Sequence, residues 1–91
     1  MRPVERKALK ARAHALDPVV HLGDKGLTDA VIAEIGRALD AHELIKVRAG
    51  GMDRAAREAT LTEICTRLNA QAVQHIGKVL VIFRAKPDAY S

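Results

Sequence analysis

Gly23-Asp24-Lys25-Gly26, set between a short β-branched run and a helical one, is the stretch of this sequence with most chemistry to offer. Two glycines three apart permit positive φ and close approach of another backbone, and the helix that follows aims its N-terminal amides and positive dipole end at the same spot. Such a bend can cradle a phosphate. It can equally be a strand-to-helix turn whose glycines serve geometry alone, and the bare pattern does not choose between the two. A Walker loop is excluded, because the Gly-Lys-Ser/Thr ending and its longer spacing are missing, and a dinucleotide fingerprint fails as well.

The charges point the same way. Fifteen Lys and Arg stand against eleven Asp and Glu, a net +4 that favours an anionic partner. Residues 1–14 carry Arg2, Arg6, Lys7, Lys10 and Arg12 against Glu5 alone, so this segment holds the entire surplus. Arg2, Arg6, Lys10 and His14 recur every four residues and form one stripe on a helix, beside an apolar seam of Leu9, Ala13 and Leu16. Read from periodicity alone, the stripe is either a solvated face or an anion-binding one. A membrane-surface helix is disfavoured, since the apolar side is mostly Ala without a Trp or Phe anchor. Lys46, Arg48, Lys78 and Arg84, on two strands, are secondary candidates for the same anion.

Other chemistries find little support. Cys65, the single cysteine, falls on an apolar helical seam, where a structural thiol is expected. One cysteine also rules out an internal disulfide framework, and with it any sign of an oxidising compartment; a cytoplasmic location is expected. His14, His21, His42 and His75 sit on separate elements without metal-ligand spacing, so no metal and no cofactor are expected. The carboxylates are scattered, and no catalytic residue is assigned. With one Phe, one Tyr and no Trp, the chain lacks the ring platform on which an RRM stacks bases, so any RNA is held mainly by its phosphates. No targeting segment or membrane span is expected, because the longest strongly apolar run is Val79 to Phe83.

These residues need a scaffold, and 91 residues allow one domain, with an aliphatic core. Pro3 opens a first helix that runs to about Ala15 and is stopped by Asp17-Pro18. Val19 to Leu22 reads as a short buried strand. Thr28 caps a second helix to about Ala41, with Leu27 stapling against Ile32 and a buried stripe through Val31, Ile35, Ala38 and Leu39. Gly36 inside it marks either close packing or nothing. Glu43 to Ala49 alternates as a half-buried strand, with Ile45 and Val47 opposite Lys46 and Arg48. Asp53 caps a third helix to about Leu68, and Gln71 to Ile76 and Lys78 to Arg84 form a hairpin around Gly77. The order helix, strand, helix, strand, helix, strand, strand predicts parallel crossovers closed by an antiparallel hairpin: a mixed sheet with helices packed on it. The domain is expected to occupy residues 1–86, followed by a loose tail over 87–91.

Three segments together resemble a known family. Leu16 to Thr28 (LDPVVHLGDKGLT), His42 to Arg48 (HELIKVR) and Ile76 to Arg84 (IGKVLVIFR) are similar to the CRM domain (chloroplast RNA splicing and ribosome maturation), especially its stand-alone bacterial YhbY-type members. The resemblance implies a two-layer α+β fold with a four-stranded mixed sheet, like the C-terminal domain of translation initiation factor 3. It further implies a glycine loop, Gly23 to Gly26, resembling that of KH domains, and a basic surface at Lys46 and Lys78 beside the first helix. The function it implies is non-enzymatic binding of ribosomal RNA in precursors of the large ribosomal subunit, assisting ribosome assembly. Asp24 departs from the basic or polar residue common at its position in relatives, and Lys25 is placed to compensate. The expected chain is a monomer with an RNA partner, without DNA or membrane. Alternatives are an RNA-binding or protein-interaction adaptor acting on other structured RNAs, a protein-docking module using Leu80 and Ile82, and a small phosphate-ligand enzyme centred on Gly23.

Overall fold

The computed structural model describes residues 2–86, and the expected loose tail lies outside them. Seven elements follow in the expected order: α1 (Pro3–Ala13), β1 (Pro18–His21), α2 (Asp29–His42), β2 (Leu44–Arg48), α3 (Arg54–Leu68), β3 (Gln71–Ile76) and β4 (Val79–Phe83). Pro3 opens α1, where its missing N–H costs nothing. The helix ends two residues before the expected Ala15, because its last turn tightens: the His14 N–H donates to the Ala11 carbonyl and the Leu16 N–H to that of Ala13. Thr28 and Asp53 cap α2 and α3 as their types suggest, accepting from the N–H groups of Val31 and Ala56 at 3.2 and 2.8 Å. Asn69 ends α3 in the left-handed region, φ 53°, and the Ala70 N–H returns to the Cys65 carbonyl.

The strands form one sheet in the order β1-β2-β4-β3. β1 runs parallel to β2, and β4 pairs antiparallel with both β2 and β3. The crossover through α3 therefore leaves β2 and β3 pointing the same way but not adjacent, with β4 inserted between them. Alternation along the strands gives each face its own core. Val20, Ile45, Val47, Leu80 and Ile82 meet Ile35 and Leu39 of α2 and Ile64 of α3. On the opposite face Leu44, Val73 and Val81 meet Leu9 and Ala13 of α1. The sheet with α2 and α3 makes the expected two layers, and α1 adds a partial cover on the second face. Each fully buried Leu or Ile here contributes about 1.5–3 kcal/mol.

Leu80 and Ile82 are completely buried beneath α2 and α3, which overturns their reading as a protein-docking patch. At Gly36 an added Cβ would lie 3.5 Å from Leu68 Cδ2, an ordinary contact, so packing does not require the glycine there. No helix among the described residues is long and apolar enough to cross a membrane.

Candidate nucleic-acid interface

Strand direction decides where the candidate residues gather. The chain leaves β1 at His21 and β2 at Arg48, at the same end of the sheet because these strands are parallel; the β3–β4 turn at Gly77 and Lys78 closes there too, because β4 is antiparallel. Three glycine-bearing connections thus share one end: Gly23 to Gly26, Gly50-Gly51 and Gly77. Both α2 and α3 also begin there.

The first of these connections is a turn closed by the Gly26 N–H donating to the Gly23 carbonyl at 3.0 Å, with Gly26 at φ +68°. Gly23, Asp24 and Lys25 are exposed, and no atom lies within 4 Å of where a Cβ would stand on either glycine. The bend is open to a partner. Next to it the register aligns His21, Arg48, Val79 and Ile76 in a single row across all four strands. Arg48, at the end of β2, and Lys78, in the β3–β4 turn, converge: Arg48 Nε and Lys78 Cδ each lie 3.8 Å from the position of a Gly50 Cβ.

Two rows further in, on the same face as Arg48, Lys46 is flanked by Pro18 and Val81, and Val81 by Gln74. Here α1 crosses the face, and Lys10 and His14 border a small cleft with Lys46, Gln74, Ile76 and Val81. Arg6 and Lys10 border a shallower groove toward β3, next to Glu58 and His75. The stripe read from the sequence therefore runs along the margin of the uncovered part of the sheet. Lys7 is exposed elsewhere on α1, and Arg2 pairs with Glu5 at 2.9 Å.

Among the described residues Arg6, Lys7, Lys10, Lys25, Arg48 and Lys78 form no side-chain hydrogen bond or ion pair. Lys46 donates from Nζ to the Leu16 carbonyl at 2.8 Å, which leaves two of its three protons free. Arg84 is different. It lies at the opposite end of the sheet, donating to the carbonyls of Leu68 and Gly36 at 2.9 and 3.1 Å and to Asp40 at 2.7 Å. The structure thus gathers Lys25, Arg48 and Lys78 at one end of the sheet, sets Lys10 beside Lys46 on the face that α1 crosses, and leaves Arg84 apart.

Sequence reading missed the polar and apolar members of this surface, Gln74, His21 and the half-exposed Ile76, because register is needed to place them. It also missed a linked trio on the other side of β3. Arg57 Nε donates to His75 Nε2 at 3.1 Å, so the ring proton sits on Nδ1 and is accepted by Glu58. That link fastens β3 to α3. Cys65, half-buried on α3, has its thiol pushed up by burial, consistent with a structural role. No group of three His, Cys, Asp or Glu side chains among the described residues is placed to hold a metal ion.

Comparison with known proteins places this geometry. Residues 1–84 match the model of the CRS1 / YhbY (CRM) domain. The chain belongs to the CRM domain family. A Haemophilus influenzae protein named "RNA-binding protein" is 45% identical over 85 residues, 93% of this chain and 86% of its own length. "Probable RNA-binding protein PA4753" of Pseudomonas aeruginosa is 41% identical over 83 residues, covering 91% of this chain and 80% of that one. Among solved structures, this CRM domain is similar to SAV1595 of Staphylococcus aureus, a hypothetical protein described as a candidate RNA binder. That likeness has a TM-score of 0.86 and 25% identity, covering 98% of this chain and 93% of the other.

Proposed function

We propose that this CRM domain is a non-catalytic RNA-binding protein that holds ribosomal RNA of large-subunit precursors through its phosphates and assists ribosome assembly, acting as a monomer in the cytoplasm. The observation that carries the reading is the exposed Gly23–Gly26 bend at the sheet end where Arg48 and Lys78 converge, with Lys46 two rows inward and Lys10 beside it on α1. Two phosphates or more fit this layout: one on the bend's backbone amides and Lys25, another between α1 and the strand cations. Asp24 is exposed on the bend and makes no hydrogen bond among the described residues, so it is free to turn away from the anion. The names of the relatives support RNA as the polymer, and the ribosomal target rests on family resemblance.

Binding of this kind releases counterions, so affinity for a large-subunit RNA fragment falls steeply with salt. Lys10→Ala combined with Lys25→Ala flattens the slope of log K against log salt by about two units. An unchanged slope and affinity in that double variant would sink the proposed surface. Crosslinking in cells and sequencing of the attached RNA tests the target, and recovery of other structured RNAs in place of large-subunit precursors would favour the adaptor role.

A further inference from the structure

A cleft lies on the far flank of α1 from the basic stripe, where β1 starts late. Pro18 pairs with Lys46, so Leu44 and Ile45 at the head of β2 have no β1 residue beside them. The chain from α1 fills this gap only partly, leaving a cleft of about 370 Å³. Small-molecule sites occupy about 300–1,000 Å³. One wall is fixed, because Lys46 Nζ holds the Leu16 carbonyl at 2.8 Å. Leu16, Val19 and Leu44 line it with apolar surface, and Leu16 and Val19 remain 36% and 46% exposed. Asp17, Arg12 and His42 stand around it, and none of the three makes a side-chain hydrogen bond or ion pair among the described residues.

An apolar slot with unpartnered polar groups around it suits a flat ligand whose faces are apolar and whose edges carry hydrogen bonds. A nucleobase has that form. Asp17 selects among bases, because a carboxylate only accepts. Guanine alone presents two adjacent N–H donors, at N1 and N2, to match its two oxygens; adenine and cytosine offer one amino group beside an acceptor, and uracil a single N–H between two acceptors. Arg12, a cation at the same cleft, complements the phosphate of that nucleotide or the guanine O6. We infer that the cleft between α1 and the head of β2 receives one unstacked guanine of the bound RNA, read by Asp17 and sandwiched by Leu16 and Val19. This rests on the RNA-binding reading and adds base selection to a surface otherwise built for phosphates.

The test uses the full chain and labelled heptanucleotides: all uridine, or uridine with a central guanosine, adenosine or inosine. The guanosine oligomer is expected to bind about tenfold tighter than the adenosine or all-uridine ones. Inosine, which lacks the N2 amino group, should lose most of that gain. Methyl NMR signals of Leu16, Val19 and Leu44 should shift with the guanosine oligomer and not with the all-uridine one. In Asp17→Asn, an exposed substitution, the preference for guanosine disappears while all-uridine binding stays within about twofold. Equal binding of guanosine and adenosine, or a preference that survives Asp17→Asn, overturns the guanine site and leaves the RNA-binding reading standing. Saturation of the same methyls by 5′-GMP as tightly as by the oligomer overturns RNA as the occupant. Failure of every oligonucleotide and of the ribosomal fragment to bind overturns both readings.

Discussion

Arg48 closes β2 and Arg84 follows β4, the strand paired with it, yet the two arginines occupy opposite ends of the sheet and meet opposite fates. Arg84 is held by two carbonyls and a carboxylate, whereas Arg48 is exposed and without a side-chain partner among the described residues. Helix direction explains the difference. Because α2 and α3 each follow a strand, both start at the Arg48 end and finish at the Arg84 end. The finishing end offers unsatisfied carbonyls, such as that of Leu68, the last residue of α3, and Arg84 takes them up. The starting end offers N–H groups, which a cation cannot use. Lys25, Arg48 and Lys78 therefore face the same way as two positive dipole ends, with their charge left for an anion from outside. Glu43 strengthens the contrast: held at φ 64°, it gives its carbonyl to the Arg84 N–H and its carboxylate to the Lys86 N–H.

Exchanging the roles of the two ends should therefore fail in opposite ways. Arg48→Ala with Lys78→Ala is expected to flatten the salt dependence of RNA binding by about two units while thermal unfolding stays where it was. If the slope holds, the sheet end does not touch phosphate and the contrast is only decorative. Arg84→Ala should do the reverse. Loss of its hydrogen bonds leaves the partly buried Leu68 carbonyl without a donor and lowers the unfolding free energy by about 1–3 kcal/mol, with the salt slope untouched. Urea unfolding of the variant beside a salt titration reads both quantities, and an Arg84 variant that binds RNA less steeply yet unfolds normally would break the comparison.

How much of this was legible in the sequence depends on the range of the interaction. Caps, the glycine bend, the hairpin at Gly77 and the helix stripe are local, and Thr28, Asp53, Gly26 and the four-residue spacing announce them. The arrangement β1-β2-β4-β3 is not local: it follows from which strand shields the long aliphatic face of β4, and nothing in the spacing of Leu80 and Ile82 says that α2 and α3 cover them. The same holds for Arg84. Its type and strand position match those of Arg48, and only the tertiary course of α2 and α3 brings Gly36, Asp40 and Leu68 to it. Gln74 and Ile76 join the surface through register across a bulge between Ala72 and Gln74, which local pattern cannot place.

Smaller effects sharpen the comparison within the glycine end itself. Gly26→Ala forces a side chain into φ +68° and is expected to lower stability by about 1 kcal/mol, whereas Gly23→Ala, in open space and outside the positive-φ set, should fold as well as the parent. The informative reading is binding by Gly23→Ala. If phosphate sits directly on the bend, the added methyl weakens affinity without changing stability; equal affinity would move the phosphate away from the backbone and onto Lys25 alone.

Cys65 gives the smallest expected effect and bears on the layer between the two ends. Burial raises its thiol above the ordinary value of 9.0, so the folded protein keeps a proton that the unfolded chain gives up. The linked stability is fully present below the unfolded value and is lost as pH rises through the folded one. The difference in unfolding free energy between the parent and Cys65→Ala isolates the thiol: it should be flat up to about pH 9 and shrink above it. A difference that stays flat would mean that the thiol is solvated in the folded state, and that α3 packs on the sheet less tightly at Cys65 than its neighbours Leu61 and Ile64 do.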